Sequence, residues 1–379
     1  MKLSHPAFKC ALAATVCFIT MTTLATSKIY AQKKIAKKTK QDKKLKLTTK
    51  GLSIGNDVRI LPYASLENGF DPYFGLKLEH SDFGDSPDRM FHHFKFESVR
   101  EFSWKFRYQA NSISTKKTKY NFLFKIKSDD DTFFYGVGNA ISKSSRALAT
   151  YNSVFVGGEV ERKLSEGIVF RVSAGMWNFR SGLVNGGEFE RAADAQYITS
   201  RFTLSDSKSI DYWKASIDNQ WSGYIEFGLP VHSSVAKYAR INLQSMTRFP
   251  VFKNSKFGVG TRVEFLISPH RRRMPYFALP EVGSGSGLRG FSKERFRDYA
   301  LFAVNLEYSI PLSQQLDAFL LSDIAQTAHN LTKFFGSTIH QSFGFGLRLH
   351  KGAYPFAVGV AGSNEGVKLF STIALGRVW

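Results

Sequence analysis

The sequence has few of the features that define helical membrane proteins, disulfide-rich proteins or cysteine metalloproteins. After residue 27, no apolar run reaches the roughly 18 residues of a membrane-spanning helix. Both cysteines, Cys10 and Cys17, lie in the first 31 residues, so the rest of the chain has no thiol for a disulfide or a metal. No stretch after residue 51 has a sustained apolar stripe with helical spacing. These absences favour an all-β body without disulfides.

The first 31 residues have the pattern of a secretory signal peptide. Lys2 and Lys9 precede the apolar run CALAATVCFITMTTLATS, and the small residue Ala31 offers a cleavage point, with Ser27 as an alternative. The other interpretation is an uncleaved anchor helix, but threonine-rich stretches make poor membrane spans. We predict that residues 1–31 are a cleaved signal peptide and that the mature chain is exported.

Much of the positive charge lies in a short segment after this signal. The formal net charge is +21, of which residues 1–31 contribute +3 and residues 32–50 contribute +8. The segment QKKIAKKTKQDKKLKLTTK has nine lysines and no aromatic side chain, so it cannot bury enough apolar surface to become ordered. We predict that residues 32–50 form a basic disordered arm, either a solvated linker or an electrostatic tether to anionic lipid or a partner. We expect no nucleic-acid partner.

From residue 51 the dominant pattern has a period of two, which is typical of β-strands. In FSWKFRYQ, Phe102, Trp104, Phe106 and Tyr108 share one face and polar residues share the other. The same alternation occurs in HFKFESV, NFLFKIK, RVEFLIS, AVNLEYSI and FGFGLRLH. Gly, Asn, Asp and Ser clusters separate these segments, so we predict a succession of strands and turns.

Two all-β folds fit this alternation. A soluble sandwich buries its apolar face and wets the polar one, whereas a transmembrane barrel turns the apolar face to lipid. Aromatic residues make up 15% of the chain, yet its mean hydropathy is −0.20, and strand after strand carries Lys, Arg, Glu, Asn or Gln on the polar face. We predict that residues 51–379 form a transmembrane antiparallel β-barrel.

The stretch GSGSGLRGF, residues 283–291, has two interpretations. Gly285, Gly287 and Gly290 match the dinucleotide-binding pattern G-x-G-x-x-G, but prolines upstream interrupt any central strand and no βαβ pattern surrounds the match. The alternative is a loop that enters a barrel, with Arg289 paired to inward-facing carboxylates. Glu307, on the polar face of AVNLEYSI, and Asp323, in AFLLSDIAQ, are the candidate partners.

The stretch LPEVGSGSGLRGFSKERFRD resembles the sixth extracellular loop of the bacterial surface-antigen superfamily, which includes BamA, TamA and the two-partner-secretion transporters. The hallmark of that loop is an Arg-Gly-aromatic tip, which Arg289, Gly290 and Phe291 match. Further matches are listed in chain order: FYGVGN at 134–139, RFRD at 295–298, NLEYSIPL, AFLLSDIAQ and GFGLRL. Ser309 stands where the family pattern has arginine, Leu321 where it has an aromatic residue and Ala325 where it has glycine.

The resemblance implies a barrel of sixteen strands with an inward-folded Arg-Gly-Phe loop in the outer membrane of a Gram-negative bacterium. The terminal residue, Trp379, resembles the C-terminal assembly signal of such barrels. Family members that assemble or export proteins carry periplasmic POTRA domains, and residues 32–50 leave no room for one. We therefore expect a short form that takes part in outer-membrane protein or lipid assembly or translocation. Expected partners are outer-membrane lipid, periplasmic or outer-membrane proteins, and the barrel assembly machinery for its own insertion.

Two other functions compete with this one. A passive porin or structural barrel is the first, and the basic body with the segment HRRR at 270–273 would bias such a pore toward anions. An enzyme is the second, but the chain has no G-x-S-x-G motif, and His92, His93 and His270 have no spacing that suggests a triad or metal site. We predict no enzymatic activity, no cofactor and no metal.

Overall fold

The computed structural model describes most of the chain between residues 46 and 373. The described residues are 46–48, 51–54, 57–67, 71–81, 86–96, 101–183, 194–206, 219–252, 255–284, 287–349 and 356–373. The predicted signal peptide, residues 32–45 and 49–50 of the predicted arm, Gly285 and Trp379 lie outside them, so the predictions on these residues stay predictions.

The described residues form twenty β-strands and four short 3₁₀ helices. The strands are β1 Lys46–Thr48, β2 Gly51–Ile54, β3 Val58–Glu67, β4 Asp71–Ser81, β5 Arg89–Phe96, β6 Glu101–Gln109, β7 Thr118–Phe134, β8 Ala147–Lys163, β9 Ile168–Leu183, β10 Ala195–Asp206, β11 Asn219–Pro230, β12 Tyr238–Pro250, β13 Lys256–Ile267, β14 Glu281–Val282, β15 Phe296–Arg297, β16 Ala300–Pro311, β17 Leu316–Ala328, β18 His340–Leu349, β19 Phe356–Ser363 and β20 Gly366–Ile373. The 3₁₀ helices span Lys143–Ser145, Arg271–Arg273, Tyr276–Ala278 and Leu331–Gly336. None of the helices in the described residues is long and apolar enough to cross a membrane.

The main sheet is antiparallel throughout the described residues, with each strand paired to the next along the chain. The ladders run from β1 to β13, pass directly from β13 to β16, and continue to β20. Adjacent strands joined by hairpin turns must run in opposite directions, which explains this order. β14 and β15 form a separate ladder within the long connection from β13 to β16. The prediction of an all-β antiparallel fold is confirmed.

The strand count depends on how the sheet closes. The main sheet has 18 strands among the described residues. Sixteen of these, β3–β13 and β16–β20, have 8 to 17 residues, comparable to the roughly 9–11 residues of a membrane-crossing strand. β20 pairs with β19 and also comes within 8 Å of β3, measured between Cα atoms. A closed barrel of sixteen strands stays a prediction. β1, which lies inside the predicted basic arm, pairs with β2.

The two faces of the sheet differ in chemistry, as the alternation predicted. On β17, Leu321 and Asp323 are buried on one side of the sheet. Leu320 lies on the opposite side and is 55% exposed. We call the side that carries Asp323 the inner face and the opposite side the outer face. Outer-face side chains that are large, apolar and exposed are Phe74, Phe122, Ile198, Phe202, Ile225, Leu243, Leu320, Phe343 and Phe345. Exposed apolar residues on every second position are typical of strands that face lipid.

Candidate functional site

The connection from β13 to β16, residues 268–299, lies against the inner face of the sheet. It contains the 3₁₀ helices Arg271–Arg273 and Tyr276–Ala278 and the small ladder of β14 with β15. Phe291 is 1% exposed and belongs to a buried apolar cluster that joins the loop to β16 and β17. The other members of this cluster are Val282, Leu288, Phe296, Leu301, Ala303 and Ala325. Burial of so many apolar side chains fixes the loop to the sheet, because each buried Val, Leu or Phe side chain contributes on the order of 1.5–3 kcal/mol.

Arg289, at the tip of this loop, is bound to Asp323 on β17. Its Nε donates to Asp323 Oδ2 at 2.8 Å, and its Nη2 donates to Oδ1 at 2.7 Å. The backbone N–H of Arg289 donates to Oδ2 as well, at 2.9 Å. Asp323 is 0% exposed, so these three bonds satisfy a carboxylate that water does not reach. A planar guanidinium that binds both carboxylate oxygens is the geometry for which arginine is preferred over lysine.

The second predicted partner, Glu307, pairs mainly with another arginine. Arg289 Nη1 lies 3.7 Å from Glu307 Oε2, whereas Arg348 Nη1 on β18 lies 2.6 Å from Oε1. Ser309, which stands where the family pattern has arginine, donates to Glu307 and accepts a hydrogen bond from Arg348. The sequence predicted both carboxylates as partners of Arg289, and the structure makes Asp323 the direct partner and Glu307 the more distant one.

The side-chain amide of Asn305 also links the loop to the sheet. Asn305 Nδ2 on β16 donates to Asp323 Oδ1 and to the carbonyl oxygen of Gly287, both at 2.7 Å. The sequence analysis did not select Asn305. Its place in NLEYSIPL, two residues before Glu307 on the same face, is the signal that pointed to it.

The backbone around Arg289 requires glycine. Gly287 and Gly290 have φ angles of 108° and 94°, which side chains with a Cβ rarely adopt. A Cβ on Gly290 would lie 3.0 Å from the Cβ of Ser342 and 3.3 Å from the carbonyl oxygen of Ala361. Gly287 and Gly290 lie between two short strands, and no helix begins after Gly290, so the dinucleotide-binding interpretation is wrong.

The charge of Arg289 is permanent in this setting. Burial alone would lower the pKa of Arg289, because a charged group loses hydration. The negative charges of Asp323 and Glu307 outweigh this effect and raise the pKa of Arg289 above its ordinary value. The ion pair therefore persists until the carboxylates are protonated.

The RFRD segment forms a second set of loop contacts. Arg295 Nε lies 2.7 Å from Glu365 Oε1, in the turn between β19 and β20, and Arg295 Nη2 donates to the carbonyl oxygen of Ile141 at 2.6 Å. Arg297 is 4% exposed and forms ion pairs with Glu281, at 2.5 Å, and with Glu294. The loop is thus tied to the connection after β7 and to the last hairpin of the sheet.

Comparisons with solved structures identify this architecture. Over 85% of this chain and 71% of the other, it aligns with BamA from Haemophilus ducreyi lacking POTRA domains 1–3, at 12% identity and a TM-score of 0.66. CdiB from Acinetobacter baumannii aligns over 85% of this chain, at 12% identity and a TM-score of 0.56, and CdiB from Escherichia coli over 83%, at 10% and 0.55. The chain has the fold of BamA and CdiB. It spans 60% and 62% of the two CdiB chains, less than two thirds of their length. No family model and no curated protein matches the sequence.

The early motif FYGVGN, residues 134–139, lies beside the connection from β13 to β16, far from it in sequence. The Gly138 N–H donates to the carbonyl oxygen of Arg297 at 2.7 Å, and the rings of Phe134 and Tyr276 have centroids 4.6 Å apart. The motif therefore supplies part of the surface on which residues 268–299 rest, which the sequence comparison alone did not reveal.

One buried polar cluster near the loop was missed by sequence reasoning. Asn139 Oδ1 accepts hydrogen bonds from the backbone N–H and the hydroxyl of Thr327, both at 3.1 Å. The ring of His340 lies with Nε2 2.9 Å from the carbonyl oxygen of Asn139 and stacks on Phe296, with centroids 3.7 Å apart. Asn139 ends the FYGVGN motif, and this is the one signal that could have marked it.

The remaining site predictions have separate outcomes. Arg289, Gly290, Phe291, Glu307 and Asp323 lie together at the inner face, and their role as a lock for the loop stays a prediction. Among the described residues, no group of three or more His, Cys, Asp and Glu side chains is arranged to hold a metal ion.

Proposed function

We propose that this chain is an integral outer-membrane β-barrel of the surface-antigen type that takes part in outer-membrane protein or lipid assembly or translocation, together with partner proteins. The fold it has in common with BamA and CdiB supports the membrane location and the class of activity. The proposal includes no catalytic step, no cofactor, no metal and no nucleic acid.

The observation that carries the proposal is the position of residues 268–299. An open diffusion pore needs a clear path along the inner face. Here the loop is held on that face by the Arg289–Asp323 ion pair and by the buried ring of Phe291. Buried charges and apolar contacts retain the loop on this face. This favours a barrel that acts on partner proteins or on the membrane, and it disfavours a permanently open pore.

The test is depletion of the protein in its native bacterium. We expect the abundance of other outer-membrane proteins, or the lipid asymmetry of the outer membrane, to fall. Re-expression of the natural chain should restore both, and Arg289→Ala should restore them less well than the matched loop variant Arg272→Ala. Normal outer-membrane protein and lipid content in the depleted cells would contradict the proposal.

A passive porin is the second candidate, because the inner face of β4–β7 carries a concentration of basic side chains that favours anions. Single-channel recording of the purified protein in planar bilayers separates the two functions. A large, steady, anion-selective conductance indicates a porin. A small or fluctuating conductance that rises in Arg289→Ala indicates a barrel closed by its loop.

A further inference from the structure

Four basic side chains surround the turn between β11 and β12, at the end of the sheet where the connection from β13 to β16 begins. His232 and Lys237 belong to this turn, whereas His270 and Arg273 belong to the connection. All four side chains are exposed. We call His232, Lys237, His270 and Arg273 the rim cluster.

Hydrogen bonds hold the turn and the connection together at this place. The Ser268 hydroxyl donates to the carbonyl oxygen of Lys237 at 2.9 Å and accepts from the backbone N–H of His270 at 3.4 Å. Arg273 Nη1 lies 3.5 Å from the carbonyl oxygen of Ser233, in the middle of the turn. Basic residues that are distant in sequence are therefore neighbours in the fold.

Within the described residues, no carboxylate forms an ion pair with the rim cluster. The inward-facing arginines next to it differ, since Arg240 on β12 lies 3.6 Å from Glu264 on β13. One acid, Asp194, stands two residues before Gln196, whose carbonyl oxygen accepts a hydrogen bond from the N–H of Val231. Asp194 is exposed and belongs to none of the ion pairs of the described residues. The rim cluster therefore has positive charge that these residues do not offset.

The outer face next to the rim cluster is apolar and exposed. Ile198 on β10 stands opposite Leu229 on β11, and both are exposed. Val231, which precedes His232, and Ile267, the last residue of β13, are exposed as well. Exposed apolar side chains on the outside of a barrel face the hydrocarbon of the membrane, and the lipid headgroups lie directly beyond that hydrocarbon. The rim cluster thus lies at the depth of the headgroups.

We propose that the rim cluster binds the phosphate group of an anionic membrane lipid whose acyl chains lie against the outer face of β10–β13. A guanidinium such as that of Arg273 can bind two phosphate oxygens at once, and the ammonium group of Lys237 adds a point charge beside it. The inference rests on the membrane location in the proposed function, since only a membrane brings lipid to this face. It adds the class of lipid that this part of the rim prefers.

An acidic polypeptide fits the rim cluster less well than a lipid. A soluble peptide would bring carboxylates to the cations but would leave Leu229, Val231 and Ile267 uncovered. A lipid covers both surfaces with one molecule, because its phosphate and its acyl chains are joined. The direct continuity of the basic rim with the apolar outer face is therefore the observation that selects a lipid.

The test measures lipid binding to the purified, full-length protein in detergent micelles by native mass spectrometry. The probe is dioleoyl phosphatidic acid, and its control is dioleoyl phosphatidylcholine, which has no net charge. The variant Lys237→Gln with Arg273→Gln removes two cations of the rim cluster. The matched control, Lys143→Gln with Lys333→Gln, removes two exposed lysines from the connections after β7 and β17, at the same end of the sheet. Heat-dependent gel migration verifies that each variant is folded.

We expect the natural protein to bind phosphatidic acid at least about tenfold more tightly than phosphatidylcholine, with a preference that shrinks as salt rises. The Lys237 and Arg273 double variant should lose roughly five- to thirtyfold in affinity for phosphatidic acid, and the control variant less than about twofold. Equal affinity of the natural protein for the two lipids would overturn the inference. An unchanged affinity for phosphatidic acid in the folded double variant would overturn it as well.

Two soluble competitors separate a lipid site from a site for other anions. Glycerol 3-phosphate has the phosphate without acyl chains, and a peptide of six glutamates has carboxylates instead. Displacement of phosphatidic acid by glycerol 3-phosphate at equal concentration would assign the rim cluster to free phosphate. Displacement by the peptide would assign it to a protein partner. Either result would overturn the inference.

The depletion experiment is independent of this one. If depletion perturbs the outer membrane but the protein does not prefer phosphatidic acid, this inference fails and the proposed function stands. If the protein prefers phosphatidic acid but depletion changes neither outer-membrane proteins nor lipids, the proposed activity fails and the lipid site stands.

Discussion

Two parts of the inner face treat charge in opposite ways. On β10–β13, which we call the arginine wall, carboxylates alternate with arginines: Arg201 Nε lies 2.8 Å from Glu226, and Arg262 Nη2 lies 2.7 Å from Glu264. On the inner face of β4–β7, which we call the lysine wall, the register places Lys105 directly opposite Lys125. The same antiparallel geometry thus produces a self-neutralised wall in one place and a charged wall in another.

The difference determines how the charges of each wall affect the stability of the sheet. Paired charges in the arginine wall and its continuation to β17 need no ligand, and residues 268–299 rest on this side through Arg289, Asp323 and Asn305. In the lysine wall, Lys127 pairs with Asp129 and Glu101, whereas Lys105 and Lys125 stand side by side. Opposite charges side by side stabilise a sheet, whereas like charges side by side destabilise it.

Of the changes considered, removal of Arg289 should lower the free energy of unfolding most, because it breaks an ion pair of the inner face. Arg289→Ala leaves Asp323 buried without its ionic partner, and we expect a loss of about 3–5 kcal/mol in the free energy of unfolding. Urea unfolding in lipid vesicles measures this, and protease digestion reports whether residues 268–299 leave the wall. Arg272→Ala, exposed in the same loop, is the control and should change stability by less than about 0.5 kcal/mol. If residues 268–299 are equally protected from protease in both variants, Arg289 does not hold this loop against the sheet.

A methyl group on Gly290 should be the next largest perturbation. Gly290→Ala forces a residue with a Cβ into a φ of 94° and against Ser342, so we expect a loss of about 1–3 kcal/mol. Gly336→Ala is the matched control, because a Cβ there meets no atom within 4 Å. Urea unfolding of the two variants in parallel is the measurement. Equal stability would mean that the loop does not hold Gly290 against β18 and β19.

An acid at the edge of the lysine wall sharpens the comparison, because neutral donors hold it instead of arginine. Asp88, in the turn before β5, accepts hydrogen bonds from the Tyr108 hydroxyl and from the backbone N–H and hydroxyl of Ser112. Burial alone would raise the pKa of Asp88, but these bonds outweigh it and lower the pKa to about 2.

A carboxyl group with a lowered folded-state pKa stabilises the fold above its unfolded pKa of about 3.9, and this contribution is lost as pH falls toward 2. We expect Asp88→Asn to lower stability at pH 7 and to flatten the stability curve between about pH 4 and pH 2. Urea midpoints measured across this pH range test the prediction. A curve as steep as that of the natural protein would assign the acid sensitivity to other groups.

The smallest expected effect is a gain. Lys105→Gln removes the repulsion between Lys105 and Lys125 in the lysine wall, and we expect the free energy of unfolding to rise by roughly 0.2–1 kcal/mol. Lys119→Gln, which breaks the pair with Glu161, should be neutral or slightly destabilising. Urea unfolding at low salt measures both, and the gain should shrink as salt is added. A loss of stability in Lys105→Gln would mean that Lys105 has a favourable partner in the fold.

The sequence predicted the local features of the site better than the distant ones. Alternation placed Glu307 on the polar face of its strand, and Asp323 was a second candidate partner. The Arg-Gly-Phe tip identified Arg289 through its resemblance to a loop of a known family. Which carboxylate Arg289 reaches depends on the depth to which the loop enters. No pattern within the loop encodes that depth.

Contacts between distant strands lay beyond sequence reasoning. Asn139 and His340 meet across 201 positions, and Arg295 and Glu365 across 70. The pair of Lys105 and Lys125 likewise requires the register of β6 and β7, and a slip of one residue would send alternate side chains to the other face. The alternation within each strand predicts which side chains share a face, but the sequence does not specify how neighbouring strands align.

We expect the Arg289–Asp323 ion pair to couple residues 268–299 to the inner face of β17. A double-mutant cycle with Arg289→Ala, Asp323→Ala and the combined variant tests it most directly, with unfolding free energies measured in lipid vesicles. We predict that the combined variant is more stable than the sum of the single effects implies, with a coupling energy of about 2 kcal/mol or more. Effects that add to within about 0.5 kcal/mol would contradict the claim, because additive residues do not hold each other.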